Sequence, residues 1–139
     1  TTLIEHVVPD TTCREIFKGA VEGKAKTVFQ GKLHVYPDAQ RTDGHQLSRG
    51  LLLSDESEID AKPELEIYAD DVKCSHGSTI GELDKTSLFY LRSRGIPYAT
   101  ARRMLVESFL GEVVEEMTLE SLQTTFMQRV SEWLGQERA

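Results

Sequence analysis

The sequence predicts a mainly β domain followed by three α-helices, and a change in hydrophobic periodicity along the chain carries this prediction. Residues 1–83 hold several short runs in which apolar and polar side chains alternate, separated by turn-rich polar clusters. Residues 84–139 instead carry apolar side chains at helical spacing. Because no helical pattern separates the strand runs, a doubly wound α/β sheet is excluded. A sandwich, a barrel or a β-solenoid remains open.

The clearest predicted strand is "AKTVFQGKLHVY" at residues 25–36, where Phe29, Leu33 and Val35 share one face. Mostly polar residues occupy the opposite face, as in a strand with one side in water. Residues 65–70 alternate in the same way, and "GLLLSD" at 50–55 is typical of a more deeply buried strand. The clusters "PDTTCRE", "VEGK", "YPDAQRTDGHQ" and "SDESEIDAKPE" predict turns. The pattern alone does not decide between a sandwich and a solenoid.

Three helices are predicted from capping residues and apolar spacing. Asp84 is suited to cap the first helix and Gly95 to end it, while Pro97 marks the start of the second. Thr118 is suited to cap the third helix, and the tail "GQERA" is expected to fray. Two apolar stripes are predicted, one made of Ala101, Met104, Leu105, Ser108 and Phe109, the other of Leu119, Leu122, Phe126, Val130 and Leu134.

Charge and composition exclude several classes of protein. The formal net charge is −7, and no run of lysines and arginines offsets it, which argues against nucleic-acid binding. No apolar stretch approaches the ~20 residues that span a bilayer. Two cysteines do not make a disulfide framework, so we expect the cytoplasm, or the plastid stroma in a plant or alga. Because the chain begins at Thr1, we expect it to be the C-terminal part of a longer protein.

One segment partly matches a nucleotide-binding motif. "GAVEGKA" at 19–25 places three residues between its glycines, whereas the phosphate loop needs four and a Ser or Thr after the Lys. It also precedes a predicted strand, so we interpret it as a turn. The four histidines show no HxH or HExxH spacing. His34 is predicted to be a solvated strand residue, and no function is assigned to His6.

Cys74 and His76, in "KCSHG", are the candidate metal or cluster ligands. Residues two apart on a strand point to the same side, so the thiol and the imidazole can share one soft metal ion. Two ligands are an incomplete site, which a second chain, or Glu66 or Asp70, would have to complete. The alternative is structural, with Cys74 packed inward beside Val72.

The first two helices carry more apolar surface than a small bundle can bury. "LFYL" at 88–91 is continuous, which indicates docking onto the β domain or onto a partner. Four arginines flank the connection "RSRGIP" in an otherwise acidic chain, namely Arg92, Arg94, Arg102 and Arg103. A charged, solvated rim explains these arginines equally well.

These residues resemble a known family. "KPELEIYADDVKCSHGSTIGELDKTSLFYLRSRGIPYATARRML", and within it "PELEIYADDVKCSHG" and "FYLRSRGI", are similar to the C-terminal part of the SufD branch of the SufB/SufD family, scaffold subunits of SUF iron–sulfur cluster assembly. The resemblance implies a right-handed parallel β-helix over residues 1–83, followed by a three-helix subdomain over 84–139. It also implies that the chain lacks the family's N-terminal helical region and early β-helix turns.

The same resemblance implies a function. The chain would be a scaffold and not an enzyme, pairing with a SufB-like subunit through the end of its β-helix, with self-pairing a further option. A transient iron–sulfur cluster would form at that interface on Cys74 and His76, and the isolated chain would lack it. A SufC-like ABC ATPase would dock on the helices, and its closure would move them. The docking residues implied are Tyr90, Arg92, Arg94, Gly95, Ile96 and Pro97, with Arg102 and Met104 as secondary choices.

Two alternatives remain. One is a β-helix enzyme acting on carbohydrate, for which Glu64, Glu66 and Asp70 would be the candidate carboxylates. The aromatic content of 7 % gives little indication of a sugar-binding groove. The other is a structural adaptor in which Cys74 and His76 have no metal role.

Overall fold

The structure, a computed structural model, describes residues 1–136 as six strands followed by three helices. The strands are β1 (Thr2–His6), β2 (Thr12–Val21), β3 (Lys26–Val35), β4 (Asp43–Leu52), β5 (Glu58–Ile67) and β6 (Lys73–Glu82). The helices are α1 (Lys85–Ser93), α2 (Tyr98–Glu115) and α3 (Glu120–Gln136). None of these helices is both long and apolar enough to cross a membrane.

The strands form two parallel sheets by alternating between them along the chain. One sheet has the order β1-β3-β5 and the other the order β2-β4-β6. Each strand therefore pairs with the strand two places further on, for example Thr12 with Asp43 and Asp43 with Lys73. Sandwiches are built from antiparallel sheets, so the parallel pairing removes that alternative. The mainly β prediction is confirmed, and the arrangement agrees with stacked coils of a parallel β-helix.

Three strands extend into segments that the sequence predicts to be turns. β2, β4 and β5 extend into the clusters "PDTTCRE", "YPDAQRTDGHQ" and "SDESEIDAKPE", so those turn predictions were partly wrong. Hydrogen bonds from parallel neighbours hold polar residues in strand conformation there, which local propensity does not reveal. Pro63 lies within β5, and this position is tolerated because β5 is an edge strand.

Two apolar clusters hold the fold together. The space between the sheets contains Leu33, Val35 and Ala39, all fully buried, which confirms the inward face predicted for β3. A second cluster joins Leu51 on the outer face of β4 to Val106 of α2 and Leu134 of α3. The helices are thereby packed onto the β2-β4-β6 sheet.

The end of α1 and the starts of α1 and α2 agree with the sequence predictions, whereas the predicted apolar stripes agree only in part. The Asp84 carboxylate accepts hydrogen bonds from the backbone of Thr86 and Ser87 at 2.9 and 3.3 Å, as its capping role predicts. The predicted stripes were wrong at five positions, where the side chains are exposed: Met104, Ser108, Leu119, Leu122 and Phe126. Ala101 of the predicted stripe is buried, and the other buried residues of α2 are Val106, Gly111 and Val114. Most of the tail predicted to fray, residues 137–139, lies outside the described residues.

Candidate functional site

Cys74 and His76 lie on β6, the edge strand of the β2-β4-β6 sheet. Within the described chain β6 pairs only with β4, so its outer row of backbone groups has no neighbouring strand. Successive side chains of a strand alternate between its faces, which puts both residues on the face that looks toward the other sheet. We call Cys74, His76 and the β6 edge that carries them the rim.

The thiol of Cys74 is partly buried against the core. It packs on the cluster that contains Leu33 and Val35, and it lies opposite Gly44 in the parallel register. Burial raises the pKa of the thiol, a hydrogen bond from the Gly44 backbone lowers it, and the nearby Asp43 carboxylate raises it further. The inward packing foreseen as the structural alternative is therefore present. It places the sulfur beneath the surface while its strand remains at the edge.

The imidazole of His76 is exposed, in contrast to Cys74. It lies opposite Gln46 in the register, and the Gln46 amide donates a hydrogen bond of 2.8 Å to Glu15. Gln46 is only 2 % exposed, and its Oε1 has no partner among residues 1–136. Polar side chains thus lie side by side across the sheet, from Glu15 through Gln46 to the exposed imidazole of His76.

The described residues do not complete a metal site by themselves. No three His, Cys, Asp or Glu side chains within residues 1–136 are grouped so that they could hold a metal ion. Glu66, considered as a further ligand, instead bonds Lys32 and His34, and these two partners lower its pKa. Asp70 is exposed in the turn after β5. Cys74 and His76 are therefore the two donors that the described residues offer at the rim.

The connection between α1 and α2, which we call the elbow (residues 92–97), is fixed by its own backbone. Gly95 has a φ of 84°, and the amide hydrogens of Gly95 and Ile96 bond the carbonyls of Arg92 and Leu91 at 3.0 and 3.3 Å. This pair of bonds is the Schellman motif, which ends a helix with a glycine in the left-handed region. Pro97 then starts α2.

Aromatic and cationic side chains cover the outside of the elbow in two stacked pairs. The Arg94 guanidinium lies 4.4 Å from the centre of the Tyr90 ring, and that of Arg92 lies 5.7 Å from the Tyr98 ring. Tyr90 and Tyr98 are about half exposed, and Phe89 is 72 % exposed. The predicted docking residues did not include Phe89 and Tyr98, although both are exposed beside them.

The two secondary docking candidates differ in exposure. Arg102 forms an ion pair with Glu22, and its side chain is only 15 % exposed, so it ties α2 to the turn after β2. Met104 is 43 % exposed. His34, predicted to be solvated, is instead held by Glu66 at 2.9 Å and stacked between Tyr36 and Tyr68. That prediction was wrong because neighbouring coils bring these side chains together.

Residues 1–109 match the family described as SUF system FeS cluster assembly, SufBD core domain. The iron-sulfur cluster assembly protein SufD of Escherichia coli (strain K12) is 41 % identical over 133 residues, which are 96 % of this chain and 31 % of that protein. A SufBD family protein of Synechocystis is 45 % identical over 123 residues, covering 88 % and 27 %. The chloroplastic protein ABCI7 of Arabidopsis thaliana is 43 % identical over 115 residues, covering 82 % and 24 %.

The chain therefore spans between 24 % and 31 % of the length of these three relatives. The residues matched by the family include all six strands, α1 and most of α2.

Proposed function

This chain belongs to the SufBD core family of the SUF system, and from that premise we propose that it is the part of a scaffold on which an iron–sulfur cluster is assembled. The cluster is the cargo of the scaffold and not a resident cofactor. In this proposal the chain is not an enzyme. It presents cluster ligands at the rim and receives an ATPase at the elbow.

The observation that carries the proposal is the position of Cys74 and His76 on an unpaired edge strand. An exposed edge can accept a strand of another chain through backbone hydrogen bonds. We propose that a SufB-like subunit adds to β6 in this way, which places its own side chains beside Cys74 and His76. A second copy of this chain is the other possible occupant.

The incomplete donor set supports a site shared between two chains. A thiolate and an imidazole are suitable ligands for iron, but a cluster needs more donors than this chain groups together. The partner strand would supply the missing ligands. A neutral imidazole binds a metal without releasing a proton, whereas the Cys74 thiol must first lose its own.

The elbow supports docking of a SufC-like ABC ATPase. Exposed tyrosines in cation–π contact with arginines form a surface with apolar area and positive charge. Tyrosine and arginine are enriched in the hot spots of protein interfaces. We propose that Tyr90, Arg92, Arg94 and Ile96 contact the ATPase. Closure of the ATPase on ATP would displace α1 and α2 and thereby strain the sheet on which α2 packs.

A carbohydrate-active enzyme is less well supported. Its general acid would need a raised pKa, yet the pKa of Glu66 is lowered by Lys32 and His34. Glu64 forms an ion pair with Lys62 at 2.6 Å. An adaptor without a metal role remains the alternative against which the proposal is tested.

The test is cluster assembly by the full-length protein in complex with SufB-type and SufC-type subunits. The complex is supplied anaerobically with iron and sulfide, and cluster formation is followed by absorbance and iron analysis. His76→Ala is expected to reduce the cluster content at least about tenfold, since loss of a ligand exceeds the effect of an outer-shell change. The ATPase should bind this variant normally.

His45→Ala is the matched control. His45 is also exposed, but it lies on the opposite face of the sheet, bonded to Ser75 at 2.7 Å. Its replacement should leave the cluster content unchanged. Normal assembly by His76→Ala would remove the imidazole from the mechanism and favour the adaptor.

A further inference from the structure

Gly44 lies between the two sheets, where the absence of a side chain lets Leu33, a thiol and an imidazole approach the same position. It is the middle residue of a row in which Cys13, Gly44 and Cys74 lie side by side on β2, β4 and β6. A methyl group at Gly44 would lie 2.7 Å from Leu33 Cδ2, 3.5 Å from Cys74 Sγ and 3.7 Å from His6 Nε2. The sulfur and the ring nitrogen therefore both lie within 4 Å of a single point.

The imidazole of His6 is oriented by a chain of hydrogen bonds. Its Nδ1 lies 2.7 Å from Thr11 Oγ1, which lies 3.1 Å from Thr42 Oγ1, and Thr42 donates to the Ala39 carbonyl at 2.8 Å. Because the Thr42 hydrogen is used on Ala39, the one hydrogen of Thr11 goes to Thr42 Oγ1 or to the Val8 carbonyl, which lies 3.4 Å away. In either case Thr11 Oγ1 accepts from His6, so His6 Nδ1 carries the hydrogen and donates it.

This assignment leaves a free lone pair on His6 Nε2, deep in the protein. His6 is only 4 % exposed, and Nε2 has no hydrogen-bond partner among residues 1–136. A buried acceptor without a partner costs about 1–3 kcal/mol, so such groups are rare and call for an explanation. Binding of a cation at this nitrogen would supply one.

We propose that His6 Nε2 and Cys74 Sγ form an internal two-donor site for a soft d10 cation, with Cu(I) as the best fit. Sulfur and imidazole donors together suit copper, zinc and iron. Zinc requires four ligands in a closed protein site, and no group of three donors exists within the described chain. Cu(I) is stable with two ligands. The thiol proton leaves to solvent as Sγ binds the ion.

The binding requires no partner, since both donors belong to this chain. Where the proposed cluster role holds, an ion at this site would withhold the Cys74 sulfur from the cluster. The two proposals therefore share Cys74 but differ in the histidine that each of them requires.

The test is titration of the reduced, metal-free, full-length protein with Cu(I) in competition with a chromophoric Cu(I) chelator. We expect Cys74→Ser and His6→Ala each to weaken the tightest Cu(I) site by at least about 100-fold, the upper end of what outer-shell changes cause. Thr11→Val removes the group that orients His6 and should weaken binding by about tenfold. Copper X-ray absorption should show one nitrogen fewer in His6→Ala than in the wild type.

Gly44→Ala tests the site without removing a donor. The new methyl group would lie beside both donor atoms, and Cδ2 of the fully buried Leu33 must shift to make room for it. Gly19→Ala is the matched control, since nothing lies within 4 Å of the methyl group that it would carry. We expect Gly44→Ala to lose Cu(I) binding and Gly19→Ala to keep it, with circular dichroism of both variants unchanged.

His76→Ala separates the two proposals. It should keep the Cu(I) site while it loses cluster assembly. The internal site would be overturned if folded Gly44→Ala and Thr11→Val bound Cu(I) as tightly as the wild type. It would also be overturned if His76→Ala lost as much Cu(I) affinity as His6→Ala. Should His6→Ala not fold, Gly44→Ala and Thr11→Val decide the result.

Discussion

The rim and the elbow position their proposed functional side chains by different means. At the rim, Cys74 and His76 take their positions from the stacking of strands that are far apart in sequence, and within residues 1–136 the outer edge of β6 has no partner strand. At the elbow, neighbouring residues set the geometry through a Schellman motif at Gly95. Within the described residues the rim groups too few donors to hold a metal ion. The elbow, in contrast, forms its surface from residues that are adjacent in sequence.

This difference indicates how the two regions would depend on partners. In the proposed function the rim acquires its chemistry when further donors join Cys74 and His76. A surface built from local backbone geometry changes little on binding. Changes at the elbow should therefore alter affinity without altering the cluster, and changes at the rim should do the reverse.

Arg92→Glu should give the largest effect on affinity and would separate the two regions most clearly. The exposed guanidinium stacks on Tyr98, and a carboxylate would replace attraction by repulsion at the proposed ATPase contact. We expect the Kd for the SufC-type ATPase to rise by about 10- to 100-fold, the range of a hot-spot arginine. Isothermal titration calorimetry with the full-length protein measures this constant.

Arg129→Glu is the control for that measurement. Arg129 is also exposed, at 78 % of its side chain, but lies on α3 and pairs with Glu132. Its reversal should leave the Kd unchanged. An equal loss in both variants would mean that overall charge, and not the elbow, governs docking.

Gly95→Ala should have an intermediate effect, on the stability of the elbow. The φ of 84° is costly for a residue with a side chain, by about 1–2 kcal/mol. Gly81→Ala on β6 is the matched change at the rim, where nothing lies within 4 Å of the added methyl group. Urea denaturation should show a loss of about 1 kcal/mol for Gly95→Ala and almost none for Gly81→Ala. Equal losses would show that the elbow is not a rigid local structure.

The smallest effect is expected in the rate at which Cys74 is alkylated. This rate reports how well the thiol is sheltered at the rim when no partner is bound. Because the thiol is partly buried and its pKa is raised, less thiolate is present at neutral pH than in a free cysteine. Iodoacetamide should therefore react with Cys74 more slowly than with an unstructured peptide thiol, and the rate should still rise with pH above the ordinary cysteine range. Mass spectrometry of the modified peptide follows the reaction. A rate equal to that of the peptide would contradict a sheltered sulfur.

The sequence predicts local features of this fold well. Asp84 and Gly95 act on backbone groups a few residues away, so their roles as helix cap and stop follow from the chain itself. The alternation around Leu33 and Val35 is equally visible, because one face of β3 is buried and the other is not. These features need no knowledge of which strands pair.

Long-range pairing is what the sequence alone leaves open. Parallel stacking depends on contacts between strands separated by a whole coil, so periodicity left the sandwich and the solenoid undecided. The convergence of His6 and Cys74 on Gly44 arises from two different sheets, and no spacing in the sequence reveals it. For the same reason, no function could be assigned to His6 from the sequence. The sequence also wrongly predicted that His34 is solvated, whereas its imidazole bonds Glu66.

The measurement that tests the central claim most directly is pulsed EPR of the reduced, cluster-loaded complex of the full-length protein. We predict a strongly coupled histidine nitrogen in the wild type and in His45→Ala. His76→Cys should keep the cluster, because sulfur replaces the ligand, but lose that nitrogen signal. An unchanged nitrogen coupling in His76→Cys, with the cluster intact, would show that His76 does not bind it.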